Sequence, residues 1–375
     1  MKFDHTNWLY KFLAALNPIN RSRRLFSSLL LSSCLFAIVF SACGGPDSTN
    51  TPAENPPEQR VNGFGTAQNH VHSFLAFPSH VLVLATHYGL FRSADGGASW
   101  TLTAAGPGQL MDGMMTFSLV SSPLNPRRLY VLTLPSINNP KGTQALYTSA
   151  DQGVTWQMGI KTAGTGSMYF VAAGNDSADE AYAYVTNEGA NGFKVSKDAG
   201  KHFISPGPLP FGRILGMLAI PGAPGNLLVY SNDGVARSVD GGAHWSTVQG
   251  VEGAVYAMTT AAPHGPIYAA GDAGIYSSQD SGKSFKLVYK DASYGALTVS
   301  PVQPQLLYGK TGRQIYKSTD GGHTWHTLPQ IKGNLESLTP DFNDAARVYL
   351  ALSYPTEVYR YDQGQSAWVS LTPKA

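Results

Sequence analysis

The chain has 375 residues, 43% of them apolar and only 13% charged, with 40 glycines, 24 prolines and 19 tyrosines. It is long enough for one large domain or two medium ones, and this mixture suits many short strands joined by tight turns. Residues 1–42 carry five of the 26 basic and one of the 24 acidic side chains, which leaves 21 against 23, a net of −2, and excludes the basic excess of a nucleic-acid binder.

The first element is an export segment over residues 1–42. Arg21-Ser-Arg-Arg24 precedes an uncharged, largely apolar run from Leu25 to Ala42. A basic region, an apolar region and small residues at the end describe a signal. Phe40-Ser41-Ala42-Cys43 resembles the lipobox of bacterial lipoproteins. That resemblance implies cleavage before Cys43, lipidation of its thiol and an extracytoplasmic protein anchored to the cell membrane. The alternative is an uncleaved N-terminal transmembrane anchor, since 18 such residues nearly span a bilayer. The only other cysteine, Cys34, lies inside the apolar run, so the remainder has none for a disulfide. Residues 43–60 are rich in Pro, Ser, Thr, Asn and acidic side chains, which predicts a flexible tether.

Residues 61–375 are dominated by a repeat. Ser93-Ala-Asp95-Gly-Gly97-Ala-Ser-Trp100 returns around Asp151 and Trp156, Asp198 and Phe203, Asp240 and Trp245, Asp280 and Phe285, and Asp320 and Trp325. A weaker seventh copy spans Tyr361 to Trp368, with its aspartate at Asp362. Successive aspartates lie between 40 and 56 residues apart. A period near 40 fits a four-stranded propeller blade. In the fifth unit the strands are predicted at 254–258, 267–270, 274–278 and 285–289. The fold expected is all-β: a single seven-bladed β-propeller of four-stranded antiparallel blades. The last strand either completes its own blade or residues 64–68 pair across the junction.

The pattern Ser-x-Asp-x-Gly-x-Thr-Trp resembles the Asp-box, or BNR repeat, of sialidases, two-propeller xyloglucanases, sortilin-type receptors and photosystem II assembly factors. The resemblance covers nearly all of residues 66–370, and the assembly factors match best in layout. It implies that the box turns gather at the end of the disc opposite the ligand-binding end. Each turn joins the third and fourth strands, with Asp and Ser bonding to the turn backbone, Gly supplying a positive φ and the aromatic buried beneath. One carboxylate per turn is too few oxygens for calcium, so these residues are read as structural.

The ligand end is built from the starts of the inner strands and the loops between second and third strands. Its candidate rim is His70, His72, Tyr169, Arg213, Tyr256 and Tyr294. Were the protein a glycoside hydrolase, Asp112, Glu188, Glu252 and Glu336 would be its candidate carboxylates, yet no local motif pairs them. The Arg-Ile-Pro motif of sialidases is missing, and one propeller cannot form the cleft between two that the xyloglucanases use. His70-x-His72 places two imidazoles on one strand face, with His87 near the end of the second strand. With no cysteine or spaced carboxylate beside them, they are read as channel lining. No metal and no cofactor is assigned. The insertion from Leu134 to Gln144 is expected to project as a recognition loop. The functional expectation is a monomeric, membrane-tethered binding or scaffold propeller without catalysis, recognising a protein or surface glycan. The alternative is a carbohydrate-active enzyme using the carboxylates above.

Overall fold

The computed structural model describes residues 63–372, except 66–67, 137, 163–167, 262, 291–293 and 354. The export segment, Cys43 and the tether lie outside the described residues. The described chain forms seven antiparallel sheets in sequence order, each from one contiguous stretch. Blade 1 comprises Val71–Ala76, Leu82–Thr86, Gly89–Ser93 and Thr101–Thr103. The inner strands of blades 2 to 7 are Met115–Ser121, Met168–Ala173, Gly216–Ala219, Val255–Thr260, Ala296–Val299 and Leu335–Pro340. Each inner strand packs beside the next, and the seventh returns to the first. The protein is thus an all-β, seven-bladed propeller.

The second strands are largely buried on both faces. Leu82–Thr86, Ala181–Val185 and Ile267–Gly271 are buried at every position. This is why their sequences run apolar at adjacent positions instead of alternating. Fourth strands face solvent and are short.

Blade 3 departs from the four-stranded expectation. Its fourth strand shrinks to a single bridge between Val195 and Ile204. The cause lies in Ile204-Ser-Pro-Gly-Pro-Leu-Pro210. Three prolines in five residues remove the amides a ladder requires.

The box turns have one geometry in six blades. The serine hydroxyl donates to aspartate Oδ1 at 2.7–2.8 Å. It also accepts the amide of the glycine four residues on, at 2.8–2.9 Å. Aspartate Oδ1 takes the amide of the residue before the aromatic at 2.8–3.0 Å. Its Oδ2 takes that residue's side chain, from Ser99, Thr155, His202, His244, Ser284 or Thr324, at 2.5–2.7 Å. The position before the aromatic, varied in sequence as Ser, Thr or His, is therefore part of the turn. The Ser99 hydroxyl and amide hold the Asp95 carboxyl down at about 2, and the His244 amide does most for Asp240, also about 2.

The glycine of the box serves a second purpose. Gly242 has φ +94, and a Cβ there would lie 2.3 Å from Cε1 of Phe193 in the preceding blade. Gly200, Gly282 and Gly97 approach Leu146, Leu228 and Leu371 just as closely, within 2.4–2.8 Å of an added Cβ. In four of the six boxes the glycine thus sets the spacing between blades as well as the turn.

The weak seventh copy does not make this turn. Asp362 instead accepts from Arg347 at 3.0 Å and Arg360 at 2.9 Å. Trp368 Nε1 donates to the Pro329 carbonyl at 2.8 Å, fastening blade 7 to blade 6.

Ring closure needs no exchanged strand. Thr356–Asp362 pairs with Ala367–Ser370, so the last strand completes its own blade. The junction with blade 1 is made by side chains and isolated bonds. Trp100 Nε1 donates to the Leu371 carbonyl at 2.9 Å, Thr339 Oγ1 to the Phe74 carbonyl at 2.7 Å, and the Gly65 amide to the Thr356 carbonyl at 2.7 Å. Phe74 and Tyr349 meet edge to face at 5.8 Å within a shared apolar cluster.

Candidate functional site at the ligand end

Every third strand runs from the second-to-third turn towards its box, so the two sets of loops occupy opposite ends of the disc. At the end away from the boxes, four inner strands carry a β-bulge at their second residue. His72 is the extra residue between the pairs Val71–Thr86 and Ser73–Ala85. Tyr169 lies between Met168–Val185 and Phe170–Tyr184. Tyr256 lies between Val255–Gly271 and Ala257–Ala270, and Glu336 between Leu335–Leu352 and Ser337–Ala351. A bulge re-aims one side chain without breaking the strand. The preceding residue is buried in all four blades, whereas the bulged residue is half-buried or exposed. Three predicted rim residues and one predicted carboxylate thus share one structural position.

Each bulged residue has its own surroundings. The Tyr256 hydroxyl donates to Oδ1 of Asp272, and that bond raises the phenol to about 12. Arg213 lies with its guanidinium carbon 5.7 Å from the centroid of the Tyr169 ring, within cation–π reach. Arg213 Nε is buried with no hydrogen-bond acceptor among the described residues. Glu336 stays accessible, but the protein surrounding it pushes its carboxyl above the usual range, offset by Lys310 and the Ser353 hydroxyl. Burial likewise lowers the Lys310 ammonium, which donates to the carbonyls of Leu335 and Glu336.

The most concentrated chemistry lies in blade 1. His70 directly precedes the inner strand, His72 occupies its bulge, and His87 follows the second strand. The His87 amide donates to the His70 carbonyl at 3.2 Å, which holds the two segments together. The His70 and His87 ring centroids are 3.6 Å apart, and His72 is 4.8 Å from each. Burial lowers His70 to about 4 and His87 to about 3, the latter helped by His70. Burial lowers His72 well below its usual range, with further contributions from His87 and His70. Nε2 of His72 and Nε2 of His87 are buried with no hydrogen-bond partner among the described residues. Leaving a buried polar atom unmatched costs about 1–3 kcal/mol. The pair His70-x-His72 is legible in the sequence, whereas its junction with His87 depends on the bulge and the second-to-third turn.

Tyr294 is a correction to the expected rim. It is 1% exposed and packs 4.8 Å from Trp325 and edge to face with Tyr316 at 5.4 Å. It belongs to the core between blades 5 and 6, because the inner strand of blade 6 begins only at Ala296.

The other predicted carboxylates sit on separate elements. Asp112, in the connection between blades 1 and 2, accepts the Gly108 amide at 2.7 Å. Glu188 is ion-paired with Lys194 beyond the second strand of blade 3. Glu252 is exposed in the connection leading to blade 5, where its amide meets the Tyr276 hydroxyl at 3.1 Å. The Leu134–Gln144 insertion does not project freely. Ser136 donates to the Gly113 carbonyl and Asn139 Nδ2 to the Asp112 carbonyl at 2.8 Å. Folded down in this way, it walls a cavity of about 250 Å³ lined by Asp112, Met114, Asn139, Lys141 and Tyr147.

No family model matches the chain. A xyloglucanase from Hypocrea jecorina (strain QM6a) is 25% identical over 251 residues, which are 64% of this chain and 27% of that protein. The chain thus spans about a quarter of the length of that curated relative. Among solved structures, the GH74 xyloglucanase from Xanthomonas campestris superposes with a TM-score of 0.61 at 18% identity, covering 84% of this chain and 55% of that one. A structure of YCF48 bound to D1 peptide superposes with a TM-score of 0.57 at 15% identity, covering 84% of this chain and 99% of that one. Likeness at these identities establishes the propeller fold, shared by xyloglucanases and by a peptide-binding protein, and leaves the activity to the site.

Proposed function

We propose that this chain is a binding or scaffold propeller that takes a peptide segment or surface glycan at its ligand end, without catalysis. The observation that carries the reading is the placement of the four carboxylates. Asp112, Glu188, Glu252 and Glu336 belong to different loops and blades, and the carboxylates of Asp112 and Glu188 have separate local partners. The rim instead offers Tyr169 with Arg213, Tyr256 with Asp272, and the imidazoles of blade 1, groups suited to stacking and hydrogen bonding. The single-propeller layout, matched over almost the whole of YCF48, supports a protein partner. Extracytoplasmic display through lipidated Cys43 completes the proposal and rests on the lipobox resemblance alone.

The test is site-specific photocrosslinking from position 256 of the full chain in its native membrane, with captured peptides and glycans both identified. A discrete partner is expected, and its capture should fall at least about tenfold in Tyr169→Ala and Arg213→Ala, as for hot-spot residues. Capture that is unchanged by both variants would remove the rim from the account.

A second reading, glycoside hydrolysis, is favoured by one observation: the bulge places Glu336 at the ligand end, where the surrounding protein pushes its carboxyl above the usual range. Cleavage of xyloglucan oligosaccharides that Glu336→Gln abolishes would establish it in place of the first.

A further inference from the structure

We propose that His70, His72 and His87 form a binding site for one transition-metal ion of the zinc or copper class at the ligand end of blade 1. The proposal is independent of whether the rim recognises a peptide or a glycan.

Two observations converge. The first is proximity: one ligand atom from each imidazole lies within 4.8 Å of the others. Ligands on a tetrahedral ion with bonds of about 2.0–2.1 Å stand roughly 3.3 Å apart. The rings therefore need to close by roughly 1.5 Å or less, a movement within reach of side-chain rotation. The second is the pair of buried Nε2 atoms on His72 and His87, which have no partner among the described residues. Buried polar groups are nearly always matched, and a metal ion matches two at once.

The donor set selects the class of ion. Three nitrogens without an oxygen ligand suit zinc, copper or nickel and do not suit calcium or magnesium. Backbone geometry holds the set in place. The bond between His87 and His70 fixes the relation of the two segments, and the bulge adds the third ring. A site with three protein ligands leaves a fourth position open. At the ligand end, that position is available to a water molecule or to a donor atom of a bound partner.

The test uses the full chain purified in detergent with an affinity tag that contains no histidine. The chain is stripped with chelator, loaded with zinc alone, dialysed and assayed for metal content. One equivalent of zinc per chain is expected in the wild type and in the control His326→Gln, whose ring is exposed in blade 6. His72→Gln and His87→Gln should each weaken zinc binding by about 100-fold or more, since each removes a direct ligand. Wild-type protein that retains no zinc, or variants that retain it undiminished, would overturn the site. Where a variant does not fold, X-ray absorption of the zinc-loaded wild type decides. Scattering from three imidazoles supports the proposal, and scattering from fewer overturns it.

Discussion

Substituting Gly242 by alanine tests the idea that box glycines set the spacing between blades. Two costs are expected. The backbone holds φ +94, which an L-residue adopts at about 1–2 kcal/mol. The new methyl would also lie 2.3 Å from Cε1 of Phe193. That ring cannot easily retreat, because it is fully buried, stacked on Tyr182 at 5.5 Å and edge-on to Trp245 at 5.4 Å. Overpacking of this kind costs about 1–3 kcal/mol. The adjacent Gly241 is the matched control, with φ +69 and nothing within 4 Å of an added Cβ. Gly241→Ala should therefore show the backbone cost alone. In urea titrations followed by tryptophan fluorescence, Gly242→Ala is expected to be less stable than Gly241→Ala by about 1–3 kcal/mol. Combining it with Phe193→Leu should recover about 1 kcal/mol as coupling between the two sites. Equal destabilisation by the two alanines, or strict additivity with Phe193→Leu, would show that the glycine serves the turn alone.

Acid should weaken the propeller over a defined window. The carboxyls of Asp95, Asp240, Asp280 and Asp320 are held at about 2, below the ordinary 3.8, with Asp151 and Asp198 also lowered. Groups depressed in the folded state stabilise it fully above their unfolded pKa, so melting temperature should hold above pH 4 and fall as pH drops from about 4 towards 2. Each turn is partly exposed and contributes on the order of 0.5–1 kcal/mol after screening. A flat profile across that window, read by calorimetry, would contradict the turn electrostatics. Ser238→Ala removes the acceptor for the Gly242 amide at 2.9 Å and should cost about 1–3 kcal/mol in the same urea assay. No loss would mean that water replaces the hydroxyl. Trp100→Phe deletes the bond to the Leu371 carbonyl while retaining most of the ring, and should cost about 1 kcal/mol. Hydrogen exchange should then rise at residues 356–372 before it rises elsewhere, and uniform exchange would argue against a local effect.

Much of this architecture was readable because the box is a local motif. Ser, Asp and Gly close a turn through contacts no more than four residues apart, so every complete copy marked a real hairpin. The seventh copy misled only in detail, since Asp362 had slipped in register and serves two arginines instead. The repeat suggested a full fourth strand in blade 3, and the prolines after Phe203 are what reduce it. The site was less legible. A bulge is a relation between two strands, so nothing in Val71-His72-Ser73 or Val255-Tyr256-Ala257 announces it. Tyr294 looked like a rim residue by position and proved to be core, because Trp325 and Tyr316, distant in sequence but in the same blade, close over it. The Leu134–Gln144 insertion similarly depends on carbonyls of another loop for its place.

Among the described residues, no sheet borrows a strand from the far end of the chain. Order of synthesis and order of assembly can therefore coincide, with each blade hydrogen-bonded internally before the next has been made. The last event is the docking of two finished faces, fastened by one indole, one threonine and a few apolar side chains. New ends could be cut between any two blades and the old ones joined by a linker, and all seven ladders would survive intact.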